Sequence, residues 1–264
     1  MKTQKQIKRD GQKASAIFDN RSLDTDYRTL RPLLKTGLSV LDVGCGTGAI
    51  SKDIAQVVGP GGKVVGIDKT SKFIEHGKQA YQAIANLELL AVDLFDFEPQ
   101  EGFDLIVAAR ALQWFSHPKE ALLKMKTLLK PNGQLSILDY NHNQLEWQPQ
   151  PPKSMLSFYQ TFLKWRADAG MNNGIAADLP EMMKEVGFHS ISVLPSNEHY
   201  ERSRADFQSK VGIWSKVAGS TQMVEEGYLE DDLRRKAIEE YNDWVAHSAV
   251  SMTMKLSEVR GRIA

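Results

Sequence analysis

The sequence has few of the features that direct a protein to a membrane, an oxidising compartment or a charged partner. It has a single cysteine, Cys45, which excludes an internal disulfide and any cysteine metal cluster. No apolar run approaches the roughly 20 residues of a membrane span, and the basic segment 1–15 lacks the apolar core of a secretory signal. The 33 Lys and Arg residues balance 33 Asp and Glu residues, so charge gives no reason to expect nucleic acid or an anionic membrane as a partner. We expect a cytoplasmic protein without a bound metal.

The most informative stretch is VLDVGCGTGAI, residues 40–50. An apolar, β-branched run, typical of a buried strand, breaks into Gly44, Gly46 and Gly48 and is followed by a helical pattern. Glycine adopts positive φ without steric cost and lets a ligand approach the backbone. A strand that turns through glycines into a helix also leaves backbone N–H groups facing a ligand above the sheet. An ordinary tight turn is the alternative, but three alternating glycines favour a nucleotide site.

Two kinds of nucleotide fit this loop. The pattern Gly44-x-Gly46-x-x-Ala49, with Asp68 further on, also satisfies a dinucleotide fingerprint. Asp42 argues against a dinucleotide, because a carboxylate beside a pyrophosphate costs Coulomb energy. The same carboxylate beside a protonated α-amine is favourable, and S-adenosylmethionine joins adenosine to an amino acid.

The motifs from Leu41 to Asp139 resemble those of class I S-adenosylmethionine-dependent methyltransferases, methyltransferase type 11/25-like small-molecule group. The resemblance implies an α/β fold with three layers and a doubly wound, mostly parallel seven-stranded sheet. The last strand, expected at 251–259, would run antiparallel and insert beside the fifth. The implied cofactor is S-adenosylmethionine, and the product is S-adenosylhomocysteine.

One methyltransferase domain over residues 1–264 is expected. It would comprise N-terminal helices in 1–36, a cofactor-binding core in 37–140, and helical lid or substrate insertions in 141–188 and 203–248. In the family such insertions build the acceptor pocket or a dimer contact, so a homodimer is one reading. The aromatic stripe in 153–169 suits a lid, although core packing is the commoner reason for such a stripe.

The remaining patterns predict the individual elements. A short helix is expected within 1–22, and a second helix spans Asp24–Lys35, capped by Asp24 and kinked at Pro32. Later helices are predicted at 49–58, 72–85, 119–129, 153–169, 176–186 and within 203–248, and strands at 40–43, 63–67, 88–92, 103–108, 134–140 and 190–194. Three side chains of the second helix could reach the ligand's carboxylate or could form a solvated face: Tyr27, Arg28 and Arg31.

Acids at strand ends predict the nucleoside contacts. Asp68 ends the second strand and would accept the ribose hydroxyls, with a helix N-cap as the alternative; Lys69 would lie along the adenine with its alkyl stem. By resemblance, Asp93 accepts from the adenine amine and the Leu94 N–H donates to the ring; a turn aspartate is the alternative for Asp93. The cofactor-binding set is Asp42, Gly44, Cys45, Gly46, Gly48, Asp68, Lys69, Asp93, Leu94 and Ala109.

The acceptor side is less determined. The stretch ARALQWF, residues 109–115, resembles the family segment above the methionine moiety, which makes Gln113 and Trp114 substrate-binding candidates; packing under the next helix is equally consistent. Tyr140 is a third candidate. A general base is needed only if the acceptor is protonated at neutral pH. The catalytic residue is unknown; the candidates are His142, Asp139, Tyr140 and His117.

The sequence thus predicts direct in-line methyl transfer from S-adenosylmethionine to an O, N or C atom of a small molecule, with no nucleic acid or membrane partner. Two alternatives stay open. One is an NAD(P)-dependent oxidoreductase that uses the same glycine-rich turn. The other is a catalytically silent cofactor-binding protein.

Overall fold

The structure is a computed structural model that describes residues 21–264. The helix predicted within 1–22 lies outside these residues except for its last two positions. The described chain divides into two compact units. The sheet unit holds residues 21–139, 175–196 and 257–264, and the helical unit holds 140–174 and 197–256. The predicted insertion 141–188 is therefore divided between the units.

A seven-stranded sheet forms the centre of the sheet unit, with strand order β3-β2-β1-β4-β5-β10-β7. The first four pairings, from β3 to β5, are parallel, whereas β10 is antiparallel to β7. This order confirms the predicted doubly wound sheet with an antiparallel last strand beside the fifth. The strands are β1 (Ser39–Val43), β2 (Lys63–Asp68), β3 (Leu87–Ala91), β4 (Phe103–Ala109), β5 (Leu129–Tyr140), β7 (His189–Pro195) and β10 (Leu256–Arg262).

The helices of the sheet unit follow from apolar spacing and end signals. In the helix after the glycines, Ile50, Ile54 and Val58 recur every four residues and are buried on one face. Gly59, at φ +67°, ends that helix, and Pro118 starts another in its first turn. The helices are α1 (Leu23–Asp26), α2 (Ala49–Val58), α3 (Ser71–Ala80), α4 (Pro118–Thr127) and α6 (Ile175–Glu185).

The helical unit contains the long helices α5 (Lys153–Asp168) and α10 (Asp231–His247), which pack together. Three short helices precede α10: α7 (Phe207–Val211), α8 (Ile213–Ala218) and α9 (Gln222–Glu225). A three-stranded antiparallel sheet of order β6-β9-β8 completes the unit, with β6 (Glu146–Gln148), β8 (Glu198–Glu201) and β9 (Ser251–Met254). The aromatic stripe of α5 is mostly buried within this unit, the commoner role for such a stripe.

The predicted helix Asp24–Lys35 is wrong in extent and type. Only Leu23–Asp26 is α-helical, and its N-cap is Ser22, whose side chain accepts from the Thr25 N–H. Residues 28–33 form a 3-10 helix that contains Pro32. Proline lacks an N–H donor, and its ring clashes with the preceding turn. Pro32 therefore prevents an α-helix here, whereas the sequence predicted only a kink.

Two strand boundaries also differ from the prediction. β5 begins at Leu129 rather than Gln134, because an irregular pairing with β4 takes in the residues that were predicted to end the preceding helix. The single strand expected at 251–259 is two strands that flank Lys255. β9 belongs to the small sheet and β10 to the large one, a change of partner that local sequence does not encode.

A buried polar network ties the N-terminal segment to two adjacent strands of the sheet, β5 and β10. The Ser136 hydroxyl on β5 donates to the fully buried carboxylate of Glu258 on β10 (2.5 Å) and lies 2.8 Å from the Tyr27 hydroxyl. Burial raises the pKa of Tyr27, so this hydroxyl stays protonated and donates. Arg260 neutralises Glu258 through bonds of 2.8 and 3.0 Å and also donates to the Thr29 carbonyl.

We predict that Arg260→Met lowers the free energy of unfolding by about 3 kcal/mol, because it leaves the Glu258 carboxylate buried without its cation. Arg31→Met is the matched control, since Arg31 pairs with Asp24 in solvent, with side chains 56% and 72% exposed; that pair is worth less than about 1 kcal/mol. Urea denaturation followed by circular dichroism measures both. Equal losses in the two variants would contradict the assigned role of the network.

Candidate functional site

The glycine loop between β1 and α2 is fixed by hydrogen bonds to the end of β2. Gly44, Gly46 and Gly48 have φ values of +72°, +60° and +80°. Glycine adopts such positive values without the steric strain that a Cβ atom would cause. The N–H groups of Gly44 and Cys45 both donate to the Ile67 carbonyl, at 2.8 and 3.0 Å. These N–H groups therefore bond within the protein, whereas the sequence predicted that they face a ligand.

Asp68, at the carboxyl end of β2, is the second anchor of the loop. Its Oδ2 accepts from the Gly46 N–H (3.1 Å) and its Oδ1 from the Thr70 N–H (2.9 Å). The alternative role as a helix N-cap is not found, because Thr70 is the N-cap of α3. The predicted ribose role is compatible with these contacts, because each carboxylate oxygen accepts more than one hydrogen bond. The side chain is almost buried, at 8% exposure, so it is held rigidly at the position where a ribose is expected.

Asp42 lies beneath the loop as a buried carboxylate. Its Oδ2 accepts from the Ser51 hydroxyl on α2 (2.6 Å). Burial raises its pKa from 3.8 to about 6; the Ser51 hydrogen bond opposes the shift and the negative charge of Asp68 adds to it. Two carboxylates close to one another make this part of the unit attractive to a cation. The same surroundings raise the pKa of the Cys45 thiol, which therefore stays protonated and does not act as a nucleophile.

A cavity lies at the carboxyl ends of β1 and β4, where open α/β sheets bind ligands. The residues that line it are Arg21, Asp42, Gly44, Cys45, Ala49, Ile50 and Ala109. Four of the residues predicted to bind the cofactor are thus brought together here: Asp42, Gly44, Cys45 and Ala109.

The predicted adenine contacts lie at the end of β3 and beyond it. Asp93 is half-buried and accepts from the Phe95 N–H (3.0 Å), so it caps the turn of residues 94–96. Asp93 thus acts as a turn aspartate, which was the alternative to its adenine role. Its other carboxylate oxygen, Oδ2, takes no part in this hydrogen bond. Leu94 is buried beside it, whereas Lys69 is exposed. In the strand order, β3, β2 and β1 are consecutive, so these contacts and the glycine loop share one sheet edge.

The residues predicted to shape the acceptor side are largely engaged in holding a turn. Gln113 is buried; its side chain donates to the Arg110 carbonyl (3.1 Å), and its N–H donates to Asp139 (2.9 Å). Asp139 is fully buried on β5, so its carboxylate fixes the turn after β4. Trp114 is half-buried in that turn, and His117 is exposed at the start of α4.

The other two base candidates belong to the helical unit. The His142 ring is buried, 5.2 Å from the Tyr140 ring and 6.2 Å from the Trp214 ring between centroids. Burial, and then the positive charge of Arg166, lower the pKa of His142, so the imidazole is neutral at neutral pH. The Tyr140 hydroxyl donates to a carboxylate oxygen of Glu198 at 3.3 Å. The Tyr200 hydroxyl donates to the same oxygen at 3.0 Å.

Several residues at these sites were not found from the sequence. Arg21 is in the cavity wall, Ser51 holds Asp42, and Glu198 accepts from two tyrosines. Arg110 is buried with φ +57° directly after β4, a conformation rare for residues other than glycine. Of these residues, Ser51 alone could have been predicted from its position in the sequence. A strand that turns tightly into a helix would bring residues 42 and 51 face to face.

The residues present fit S-adenosylmethionine. The chemistry of the donor set matches the ligand in order: the Asp42 carboxylate suits an ammonium group, Asp68 suits ribose hydroxyls, and Asp93 with Leu94 suits an adenine edge. The buried carboxylates would repel a pyrophosphate. Among residues 21–264, no group of three or more His, Cys, Asp or Glu side chains could hold a metal ion, and no helix has the length and apolarity to cross a membrane.

Comparison with known proteins agrees with this reading. Residues 34–201, more than half of the chain, match the family described as methyltransferase domain. A demethylmenaquinone methyltransferase of Staphylococcus aureus is 27% identical over 178 residues, or 61% of this chain and 71% of the relative. An uncharacterized 37.1 kDa protein in transposon TN4556 of Streptomyces fradiae is 24% identical over 197 residues, or 74% of this chain and 55% of that protein.

Among solved structures, Haemonchus contortus phosphoethanolamine N-methyltransferase 2, in complex with phosphomonomethylethanolamine and S-adenosylhomocysteine, has a TM-score of 0.57 at 14% identity. The alignment covers 91% of this chain and 52% of that one, and it supports the fold. The chain spans about half the length of the Streptomyces and Haemonchus proteins. The family match favours the methyl-transfer prediction over the alternative of an NAD(P)-dependent oxidoreductase.

We predict that affinity for S-adenosylhomocysteine falls about tenfold between pH 7.5 and pH 5. The pKa of Asp42 is about 6 in the ligand-free fold, and an ammonium group binds the ionised form, so affinity is lost as pH falls through 6. Calorimetry across this range measures the effect. Asp42→Asn is the control: its affinity is low throughout and loses this pH dependence.

The raised pKa of Asp42 also makes the free energy of unfolding depend on pH. The folded protein holds the Asp42 proton more tightly than the unfolded chain, so the contribution of this group to the free energy of unfolding is favourable below about pH 4 and declines as pH rises from 4 to 6. Denaturation of the ligand-free protein should show that Asp42→Asn removes this decline. A wild-type slope equal to that of the variant would contradict the shift.

We predict that Gly77→Ala destabilises the protein by about 1–3 kcal/mol through overpacking, although alanine is the better helix former. A Cβ at this position of α3 would lie 2.1 Å from the Thr47 carbonyl oxygen in the glycine loop and 2.8 Å from Leu89. Binding of S-adenosylhomocysteine should weaken as well, because the loop must shift. In the control, Gly61→Ala, the new Cβ meets nothing within 4 Å, and thermal stability should be unchanged or higher.

Proposed function

This chain belongs to the methyltransferase domain family of class I S-adenosylmethionine-dependent enzymes, and on that premise we propose that it methylates a small-molecule acceptor by direct in-line displacement. The acceptor atom is oxygen, nitrogen or carbon. The observation that carries the proposal is the pair of buried carboxylates, Asp42 and Asp68, next to the glycine loop. This pair favours a ligand that carries positive charge beside its ribose.

The cofactor supplies an already activated methyl group on a sulfonium sulfur, so the chain has mainly to bind, orient and exclude water. Asp42 would hold the ammonium group, and Asp68 would accept the ribose hydroxyls. The loop held by Ile67 and Asp68 fixes both acids relative to one another. Asp93, Leu94 and the stem of Lys69 would complete the site around the adenine.

A small acceptor is supported by charge and by the relatives. The net charge of zero provides no electrostatic attraction for a polyanion. The names of the Staphylococcus and Haemonchus relatives contain small-molecule acceptors, demethylmenaquinone and phosphoethanolamine. Their acceptors differ, so the relatives support the class of acceptor and not one compound.

We retain Gln113, Trp114 and Tyr140 as candidates for contact with the acceptor. His142 remains a candidate base, since a neutral imidazole has a lone pair to accept a proton; its lowered pKa makes it a weak one. Asp139 is the weaker candidate, because it already accepts from the Gln113 N–H in full burial. An acceptor that is unprotonated at neutral pH would need none of these groups.

We predict micromolar binding of S-adenosylhomocysteine that Asp68→Asn weakens roughly 10- to 100-fold, since the charge-assisted hydrogen bonds to the ribose are lost. The matched control is Asp96→Asn, an exposed acid that follows the next strand. Incubation with S-adenosylmethionine and a panel of phenols, amines and carbon acids should yield S-adenosylhomocysteine with at least one class of acceptor. Mass spectrometry would identify the methylated atom.

Three outcomes would count against the proposal. Tight binding of the cofactor with no transfer to any acceptor class would favour the silent cofactor-binding protein. Salt-sensitive binding and methylation of RNA would overturn the small-molecule acceptor. Binding of NAD in place of S-adenosylhomocysteine would mean that Asp42 does not have the proposed role.

A further inference from the structure

We propose that Arg21 binds the carboxylate of the cofactor's amino-acid moiety in the cavity that Asp42 also lines, and so makes this cavity a receptor for the whole zwitterionic amino acid. The inference rests on the proposed function, because it assigns a residue to the same cofactor site. Neither the sequence motifs nor the comparisons point to Arg21, which precedes the matched region of residues 34–201.

The charges in the cavity wall support this assignment. Of the described residues that line the cavity, Arg21 and Asp42 are the two with charged side chains, and they have opposite signs. The remaining lining residues are glycine, cysteine, alanine and isoleucine, whose side chains are uncharged. One cation and one anion in an otherwise neutral wall are complementary to an ammonium and a carboxylate on a single carbon. A guanidinium also matches the geometry of a carboxylate better than an ammonium does.

The segment that carries Arg21 is fixed where it reaches the cavity. Ser22 directly follows Arg21, and its N–H donates to the Asp26 carboxylate (3.0 Å) while its hydroxyl accepts from the Thr25 N–H (3.2 Å). The Leu23 N–H donates to Asp53 on α2 (2.9 Å). The start of α1 is therefore held on the helix that follows the glycine loop, which limits where the Arg21 side chain can lie.

A second contact joins the segment to the residue that directly follows β4. The guanidinium of Arg110 donates to the Asp26 carbonyl at 3.0 Å and lies 3.9 Å from the Asp26 carboxylate. Arg110 follows Ala109, which lines the same cavity. Its left-handed backbone is itself fixed by a 2.6 Å bond from its N–H to Leu138. Arg110 thus holds the last residue of α1, the helix that begins two residues after Arg21.

The three residues that the sequence suggested for the carboxylate contact are placed elsewhere. Tyr27 is buried, and its hydroxyl bonds to Ser136. Arg31 is exposed and pairs with Asp24, and Arg28 is exposed on the 3-10 helix. The residue of this segment that lines the cavity comes before α1 and not within it.

The experiment compares two ligands that differ only in the amino-acid part. S-Adenosylhomocysteine has the ammonium and carboxylate groups, whereas 5′-methylthioadenosine keeps the nucleoside and sulfur without them. We predict by calorimetry that Arg21→Gln weakens S-adenosylhomocysteine binding roughly 10- to 100-fold, the usual effect of losing a charge-assisted hydrogen bond. Binding of 5′-methylthioadenosine should change less than twofold. Arg21→Lys should recover part of the affinity, since it keeps the charge without the planar fork.

Arg28→Gln is the matched control, an exposed arginine of the same segment that should leave both ligands unaffected. An equal loss of affinity for the two ligands in Arg21→Gln would show a structural role and overturn the proposal, as would no loss for either ligand. Failure of the wild-type protein to bind S-adenosylhomocysteine would instead refute the proposed cofactor, so the two failures are distinguishable.

Discussion

The attachment of the glycine loop to the end of β2 is the constraint on which the rest of the candidate site depends. Ile67 accepts two loop N–H groups and Asp68 accepts a third, so the turn is rigid before any ligand binds. Rigidity at this point fixes Asp42 below the loop and Asp68 beside it. A site whose polar groups are already oriented loses less entropy on binding and discriminates by charge. The loop acts here as a frame for side chains more than as a source of free backbone donors.

Asp42 illustrates how binding and stability oppose each other in this site. A carboxylate buried next to a second carboxylate is unfavourable in the ligand-free fold, which is why its pKa rises to about 6. The Ser51 hydroxyl compensates only in part. A ligand that brings an ammonium group to this position compensates the buried negative charge of Asp42. Part of the free energy that this burial costs the folded protein is then recovered as binding affinity.

The two ends of the described chain cooperate in holding the wall of the cavity. Glu258 and Arg260 on β10 bind the segment around Tyr27 through a buried network, and Arg110 holds Asp26 from the end of β4. These contacts join residues 84 to 231 positions apart in sequence. Their combined effect is to fix the start of the N-terminal segment beside the glycine loop, a position that no local preference of the segment would select.

The sequence by itself determined the alternation of strands and helices from β1 to β5, the glycine turn and the acids at the strand ends. These follow from short-range rules, because apolar periodicity, glycine conformation and the position of a strand end are local properties. The family followed from the same local motifs. The tertiary structure decided which side chains meet: it placed Arg21 in the cavity wall, gave Gln113 and Asp139 to a turn, and split the last strand at Lys255. Those outcomes depend on contacts between residues far apart in the chain, and such contacts leave no periodic signal in the sequence.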